Sequence, residues 1–242
     1  MRTLLLGMVA ALSMAAWGWA QEPVPDWTGT LGLSLSLTRG NSDTSNVAFN
    51  ATANNAFAAR WEWVNSAYLL NQDSDGVKKA DQSGLSTGVH WKIMDRQMLF
   101  ADVGYLKDRF KDYDYRITPG VGYGYDVIEA LHQKLTLLAG ITYVDTRYIS
   151  TGATESYTGA KAGDAFWMKL SPTADFTQDF EIVSDVGRMS RWFAKFDAGL
   201  SASLSRKMAL TLTLRDSYDA KPVDPLVDKN DVTFMAGIAF KY

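Results

Sequence analysis

The chain of 242 residues contains no cysteine, and this absence removes several kinds of chemistry. Disulfide bonds, thiolate nucleophiles and cysteine-ligated zinc sites are all excluded. Histidine is also scarce, with His90 and His132 as the two examples. A serine nucleophile that needs a histidine base therefore has few possible partners in this sequence.

Long hydrophobic runs are absent beyond the first twenty residues. The longest covers about residues 135–141, and Thr136 interrupts it. A transmembrane helix needs about 20 predominantly apolar residues, so this run is far too short. If the protein crosses a membrane, the sequence predicts that it does so with β-strands.

Residues 1–20 have the pattern of a secretory signal peptide. Arg2 supplies a positive charge, an apolar run follows, and the small residues Gly18 and Ala20 form a plausible cleavage site. We predict cleavage after Ala20, which leaves residues 21–242 as a single exported domain. Removal of Arg2 changes the formal net charge from −3 to −4, so the chain has no overall attraction for nucleic acid.

Alternation of apolar and small polar residues begins at Trp27 and sets the pattern of the chain. One parity of the first segment carries Leu31, Leu33, Leu35 and Leu37. The other parity carries glycine, serine and threonine, and a period of two is that of a β-strand. Gly40 and Asn41 then tolerate the positive φ of a turn, after which the alternation resumes, so the sequence predicts a hairpin.

The same alternation continues to Tyr242 and predicts twelve strands. Pro119 in the sixth strand and Pro172 in the eighth lack a backbone donor, and we expect a bulge or a lost ladder hydrogen bond at each. The glycines of residues 120–124 share the inner face of the sixth strand, where small residues relieve crowding. They do not lie between a strand and a helix, as a nucleotide-binding loop requires.

The connections differ in length according to strand parity. Long connections at residues 71–80, 145–163 and 219–230 follow odd strands, whereas most connections after even strands are short, as at 58–60, around Asp95, at 177–179 and at 205–207. This asymmetry is typical of an outer-membrane barrel with both termini in the periplasm. Because lipid cannot satisfy an open sheet edge, we predict an all-β, antiparallel up-and-down barrel of about 12 strands in the cell outer membrane.

Several segments together resemble a known family. They are the opening hairpin with Arg39, Gly40, Asn41 and Thr44, the segment 118–123, and the closing strand after Asp231. This pattern is similar to the family of salt-induced outer membrane proteins, domain of unknown function 481. The resemblance covers nearly all of residues 21–242 and implies an outer-membrane barrel without an established reaction.

The last strand also resembles the terminal signal that the outer-membrane insertion machinery recognises. The residues that carry this resemblance are Phe234, Ile238, Phe240 and Tyr242. The partners it implies are outer-membrane lipid and, during assembly, the insertion machinery. We expect a monomer that binds no nucleic acid.

The predicted inner face combines amides with charges of both signs. Its lumen-lining residues are predicted to be Asn46, Asn50, Asn54, Asp102, Asp114, Arg116, Lys169, Asp175, Lys195, Asp197 and Arg215. Eight-stranded barrels are filled by side chains and sixteen-stranded barrels hold water, so twelve strands lie between these cases. We predict a small passive channel for ions or small polar solutes. The alternative is a plugged structural barrel that supports the outer membrane or its stress response without transport.

No catalytic, cofactor or metal site is predicted. His132 falls in a predicted periplasmic connection and His90 near the same end, away from the outer-leaflet lipids that a barrel phospholipase would attack. The acidic residues Asp73, Asp75 and Asp81 lack the full spacing of a calcium loop and are interpreted as a solvated acidic loop. An outer-membrane enzyme is a third possibility that these residues do not support.

Overall fold

The structure is a computed structural model that describes residues 27–38, 44–74, 77–109, 111–222 and 229–242. The predicted signal peptide, residues 1–20, lies outside the described residues. No helix in the described part of the chain is long and apolar enough to cross a membrane.

Twelve antiparallel strands form one closed sheet, which confirms the predicted fold class. The strands are β1 Trp27–Thr38, β2 Thr44–Ala58, β3 Trp61–Ser74, β4 Val77–Met94, β5 Gln97–Asp108, β6 Tyr113–Ala130, β7 Gln133–Tyr148, β8 Thr154–Ser171, β9 Ala174–Asp185, β10 Trp192–Ser203, β11 Met208–Asp219 and β12 Asn230–Lys241. Each strand pairs with its neighbours in sequence. The first strand also pairs with the last, from Thr30↔Lys241 to Leu35↔Ala236, so the sheet has no free edge.

The alternation places apolar side chains outside and polar side chains inside. On β1, Leu31, Leu33 and Leu35 are exposed, whereas Ser34 between them is buried. Large exposed hydrophobic residues continue around the exterior, as with Val121, Ile141, Leu210 and Phe234. The exterior is therefore the main apolar surface of the barrel, as expected for a protein that faces lipid.

The two ends of the barrel differ, as predicted, although the connections are shorter than expected. Turns of two residues at 59–60, 95–96, 131–132 and 172–173 lie at one end, here called the short-turn end. The other end, here called the long-loop end, carries connections at 109–112, 149–153, 186–191 and 220–229.

Two predicted loops are largely strand. The pairing of β3 with β4 extends to Ser74↔Val77, and that of β7 with β8 extends to Arg147↔Thr154. The outward positions of the extended part of β8 are Thr158, Ala160 and Ala162, so the hydrophobic alternation fades there. Backbone hydrogen bonding does not depend on large apolar side chains, and the ladder continues.

The two prolines are accommodated differently. The chain turns at residues 172–173, so Pro172 occupies a turn, and the predicted turn at 177–179 lies inside β9. Pro119 lies within β6, whose pairing with β7 passes from Ile117↔Asp145 to Gly120↔Thr142. The Thr142 hydroxyl donates to the Pro119 carbonyl at 2.8 Å, which partly replaces the interrupted ladder.

Candidate functional site in the lumen

The short-turn half of the lumen is a wide space, here called the vestibule. It comprises two cavities of about 540 and 630 Å³. One wall is mainly apolar, with Met98, Leu138 and Trp167, although charged residues also border it, namely Arg60, Glu62, Lys92 and Lys134. The opposite wall carries uncharged amides and hydroxyls, namely Asn50, Thr52, Asn54, Ser66, Ser86, Thr211 and Thr213. A polar solute in the vestibule therefore meets hydrogen-bonding groups on one side and apolar surface on the other.

Glycines in the inner wall allow aromatic rings to lie directly on the backbone. A Cβ atom added to Gly122 would lie 2.4 Å from the Phe100 ring, and one added to Gly84 would lie 2.1 Å from the Tyr68 ring. These distances are far below van der Waals contact, so the rings occupy space that a side chain would need. The glycines thus determine where aromatic residues narrow the lumen.

Ion pairs occupy the middle of the lumen in a layer here called the central belt. Lys161 on β8 places its ammonium 2.7 Å from Asp102 on β5 and 2.9 Å from Glu181 on β9. The Arg215 guanidinium donates to Asp197 at 2.7 Å and lies 4.2 Å from the centre of the Tyr68 ring. Lys195 on β10 faces Glu181 across the ladder.

The ion pairs of the central belt are only partly shielded. The Lys161 and Asp102 side chains are 13% and 22% exposed, and those of Arg215 and Asp197 are 24% and 36% exposed. A cavity of about 250 Å³ borders these groups. Water can therefore reach the charges, and they are not a packed ionic core.

At the long-loop end, Arg116 lies in a tightly packed outer layer. Its guanidinium is 4.1 Å from the Tyr113 ring centre and 4.7 Å from that of Phe193. It donates to the Thr146 hydroxyl at 3.0 Å and lies 3.6 Å from Asp219. The Arg116 and Asp219 side chains are 8% and 9% exposed, so this pair is much less accessible than the central belt.

Two further contacts, one from Tyr113 and one from Lys111, complete the outer layer. The Tyr113 hydroxyl donates to the Asp219 carboxylate. Lys111, in the 109–112 turn, lies 3.4 Å from Asp231 on β12 and has a side chain that is 5% exposed. Described side chains therefore fill much of the lumen at this level.

A β-bulge in β6 explains how Tyr113 and Arg116 both face inward. The register with β5 shifts between Leu106 and Asp108, and that with β7 shifts between Tyr113 and Tyr115. A strict alternation along β6 would place Tyr113 on the outer face with Tyr115, but the structure buries Tyr113 at 2% exposure. The extra residue of a bulge reverses the facing of everything beyond it.

The same bulge separates Asp114 from the other predicted lumen residues. Asp114 instead pairs with Arg147 at 3.7 Å, and the two side chains are about half exposed at the rim of the barrel. Asp114 is therefore no part of the central belt or of the outer layer.

The structure gathers several other predicted lumen residues. Five of them border the same central cavity: Asp102, Arg116, Lys195, Asp197 and Arg215. Asn50 and Asn54 line the vestibule, and Lys169 faces Asp175 in the ladder near the short-turn end. The side chain of Asn46 lies outside the described part of the structure.

Sequence reasoning missed Lys161 and Lys111. Lys161 falls in the segment 145–163, predicted as a loop, yet inward Tyr157, Gly159 and Lys161 alternate with small outward residues. That weak alternation was the available signal. Lys111 lies in a turn, and no periodicity in the sequence could reveal its contacts across the barrel.

The two histidines considered for catalysis lie in different parts of the barrel, and the side chains of Asp73 and Asp75 lie outside the described part of the structure. His90 lines the vestibule and lies edge-on to the Phe100 ring, whereas His132 is exposed in a turn. Within the described ranges, no three histidine, aspartate or glutamate side chains come together in a way that could hold a metal ion.

The predicted insertion signal lies on the exterior at the β1–β12 seam. Phe234, Ile238, Phe240 and Tyr242 are all exposed. The Tyr242 hydroxyl donates to the Thr52 carbonyl at 2.9 Å, and its backbone exchanges hydrogen bonds with Gly29. Tyr242 thus also joins β12 to the strands that close the barrel.

A closed barrel with an apolar exterior and a charged lumen is the fold of outer-membrane porins and channels. The NanC porin is similar at 10% identity and a TM-score of 0.53, over 89% of this chain and 100% of that one. The translocator domain of autotransporter NalP from Neisseria meningitidis is similar at 11% identity and a TM-score of 0.51, over 98% and 95%. An outer-membrane channel from Pseudomonas putida F1 is similar at 11% identity and a TM-score of 0.50, over 93% and 97%.

The chain belongs to the family described as protein of unknown function, DUF481, whose model matches residues 31–242. This confirms the family predicted from the sequence. The family match concerns the fold and the sequence pattern, not regulation by salt. No curated protein matches the chain. The likeness to the solved structures extends to the fold alone.

Proposed function

We propose that the protein is an outer-membrane channel that passes ions and small polar solutes passively through its lumen. The observation that carries this proposal is the continuity of the space inside the barrel. Asp179 borders both vestibule cavities and a third cavity of about 270 Å³, which also borders Lys161 and Asp197 of the central belt. Adjoining cavities therefore lead from the short-turn end to the partly exposed charges of the central belt, which supports a polar route through this part of the lumen.

The exterior supports a location in the outer membrane. Trp61 stacks on Trp91 at 5.4 Å near the short-turn end, and Trp192 stacks on Tyr218 at 4.8 Å near the long-loop end. Aromatic pairs at both ends of an apolar surface match the two interfaces of a bilayer. The protein should fractionate with outer membranes and migrate faster on a gel when unheated than when boiled. Recovery as a soluble protein without a mobility shift would contradict this location.

Planar-bilayer recording of the purified protein tests the channel. A wet lumen predicts a small, steady conductance in potassium chloride. A silent bilayer, from protein whose folding is shown by the gel shift, would overturn the proposal.

The outer layer favours one alternative, a structural barrel that is closed at the long-loop end. The buried Arg116–Asp219 pair and the aromatic rings around it pack as a core does. In that case the wild-type protein stays silent, and conductance occurs only in variants that remove a member of this layer, such as Arg116→Ala.

A further inference from the structure

Asp179 is an exposed carboxylate at the boundary between the vestibule and the central belt. It lies on β9, and it faces Asp197 across the ladder to β10. Asp197 is already bonded to Arg215 at 2.7 Å. Asp179 therefore places a negative charge on the route, beside a carboxylate that is already paired.

The cations of the central belt are engaged by other carboxylates. Lys161 lies within 3 Å of both Asp102 and Glu181, and Lys195 faces Glu181 in the ladder. Asp164, which also lies near the third cavity, accepts a hydrogen bond from Gln178 at 2.9 Å on the outward face. Because these cations lie beside other carboxylates, the charge of Asp179 acts mainly on ions and solutes in the lumen.

The groups around Asp179 suit a cation. Its vestibule cavity is shared with hydroxyls and amides, including Thr177, Ser66, Ser86 and Asn50. Their oxygen atoms can replace part of the hydration shell of a cation beside the carboxylate. An anion at the same place would meet the Asp179 carboxylate at close range.

Basic residues also line the vestibule cavities, namely Arg60, Lys92, Lys134 and Lys241, and of these Lys241 donates a hydrogen bond to Ser203. Lys169 faces Asp175, which lies four residues, or about 13 Å, along β9 from Asp179. Lys134 is held 3.0 Å from Asp126. Charges that are separated by more than the Debye length of about 8–10 Å are largely screened at physiological salt. The mouth therefore has less effect on selectivity than Asp179.

We propose that Asp179 is a selectivity-determining residue that makes the channel prefer small cations to anions. This inference rests on the proposed channel function and names the class of solute. It follows from the position of Asp179 on the continuous part of the lumen, where an ion must pass close to the carboxylate.

The test is the reversal potential of single channels in a potassium chloride gradient. Asp179→Asn should lower the ratio of potassium to chloride permeability by about tenfold, because one unit charge roughly 6 Å from the path in water favours potassium by about threefold and disfavours chloride by about threefold. Asp179→Lys should reverse the preference. Asp175→Asn is the matched control on the same strand and face, and it should leave the ratio nearly unchanged.

The possible results separate the two proposals. An anion-preferring wild type, or an unchanged ratio in Asp179→Asn protein that shows the folded gel shift, overturns the role of Asp179 but leaves the channel intact. A silent wild type overturns the channel and the selectivity with it. Equal effects of Asp175→Asn and Asp179→Asn would show that only the total lumen charge matters, which also contradicts the inference.

Discussion

Lys111, in the turn between β5 and β6, donates hydrogen bonds to the carbonyl and hydroxyl oxygens of Ser217 on β11, at 3.0 and 2.5 Å. In the order of the twelve strands, β6 and β11 lie five positions apart, on nearly opposite sides of the lumen. The turn is therefore tied across the long-loop end, next to the layer that contains Arg116. This relationship makes Lys111 well placed to influence access to the lumen from that end.

Replacing Lys111 with methionine should increase the conductance or the open time of the channel. Methionine retains most of the side-chain volume but cannot bond to Ser217, so the turn is no longer tied across the lumen. Single-channel recording measures the effect, and Lys107→Met on the outward face of β5 serves as the control. A lower conductance in Lys111→Met, or the same change in both variants, would contradict the role of this contact.

Arg116→Ala should destabilise the barrel by about 3 kcal/mol, because it leaves the buried Asp219 carboxylate without its cation. Arg116→Lys keeps the charge but loses the planar stacking on Tyr113, so an intermediate loss is expected. Urea unfolding followed by tryptophan fluorescence gives the free energy of unfolding. The control is Arg147→Ala, which removes a half-exposed pair with Asp114 and should cost no more than about 1 kcal/mol. Equal losses in Arg116→Ala and Arg147→Ala would show that the outer layer is not a packed core.

Lys161→Met should raise the preference for cations with little loss of stability. Asp102 and Glu181 then lack the cation they share, but both are partly exposed and water can solvate them. Lys195→Ala should shift selectivity in the same direction. The reversal potential and the melting temperature are measured on the same preparations. A large drop in melting temperature with unchanged selectivity would mean that the central belt is structural.

Gly84→Ala should destabilise the barrel by roughly 1–3 kcal/mol, since the new methyl group would overlap the Tyr68 ring. If the overlap with the ring is the cause, Gly84→Ala should cost much less stability in the Tyr68→Ala protein than in the wild type. Gly187→Ala is the control, because its nearest contact would be a carboxylate oxygen at 3.3 Å. The proposed contact is wrong if the effects of Gly84→Ala and Tyr68→Ala simply add.

Deleting Tyr242 should lower the amount of assembled barrel, because it removes the terminal aromatic residue and its contacts at the seam. Tyr242→Phe retains the ring but loses the hydrogen bond to the Thr52 carbonyl. If the aromatic ring is the assembly signal, Tyr242→Phe should assemble normally and be slightly less stable, by about 1 kcal/mol. Quantifying the heat-modifiable form in membranes separates the two roles. Normal assembly after deletion would remove the role assigned to this residue.

The amino-acid pattern alone predicts the closed barrel, because a two-residue alternation repeated twelve times, with connections that are long at one end and short at the other, is typical of a sheet that turns its apolar face to lipid. It also indicated five residues that border one central cavity, among them Asp102 and Arg215. These residues lie in regular strands, where facing follows directly from position in the alternation.

The three-dimensional arrangement of the strands was needed to show which of these charges are partly exposed and which are packed. The bulge near Asp114 turns Tyr113 inward and moves Asp114 to the rim, and the contact of Lys111 with Ser217 joins residues 106 positions apart. A change of register alters no residue type, and a contact across a lumen has no period along the chain. Both depend on how the sheet closes, which is why they lie beyond what a pattern of residues can predict.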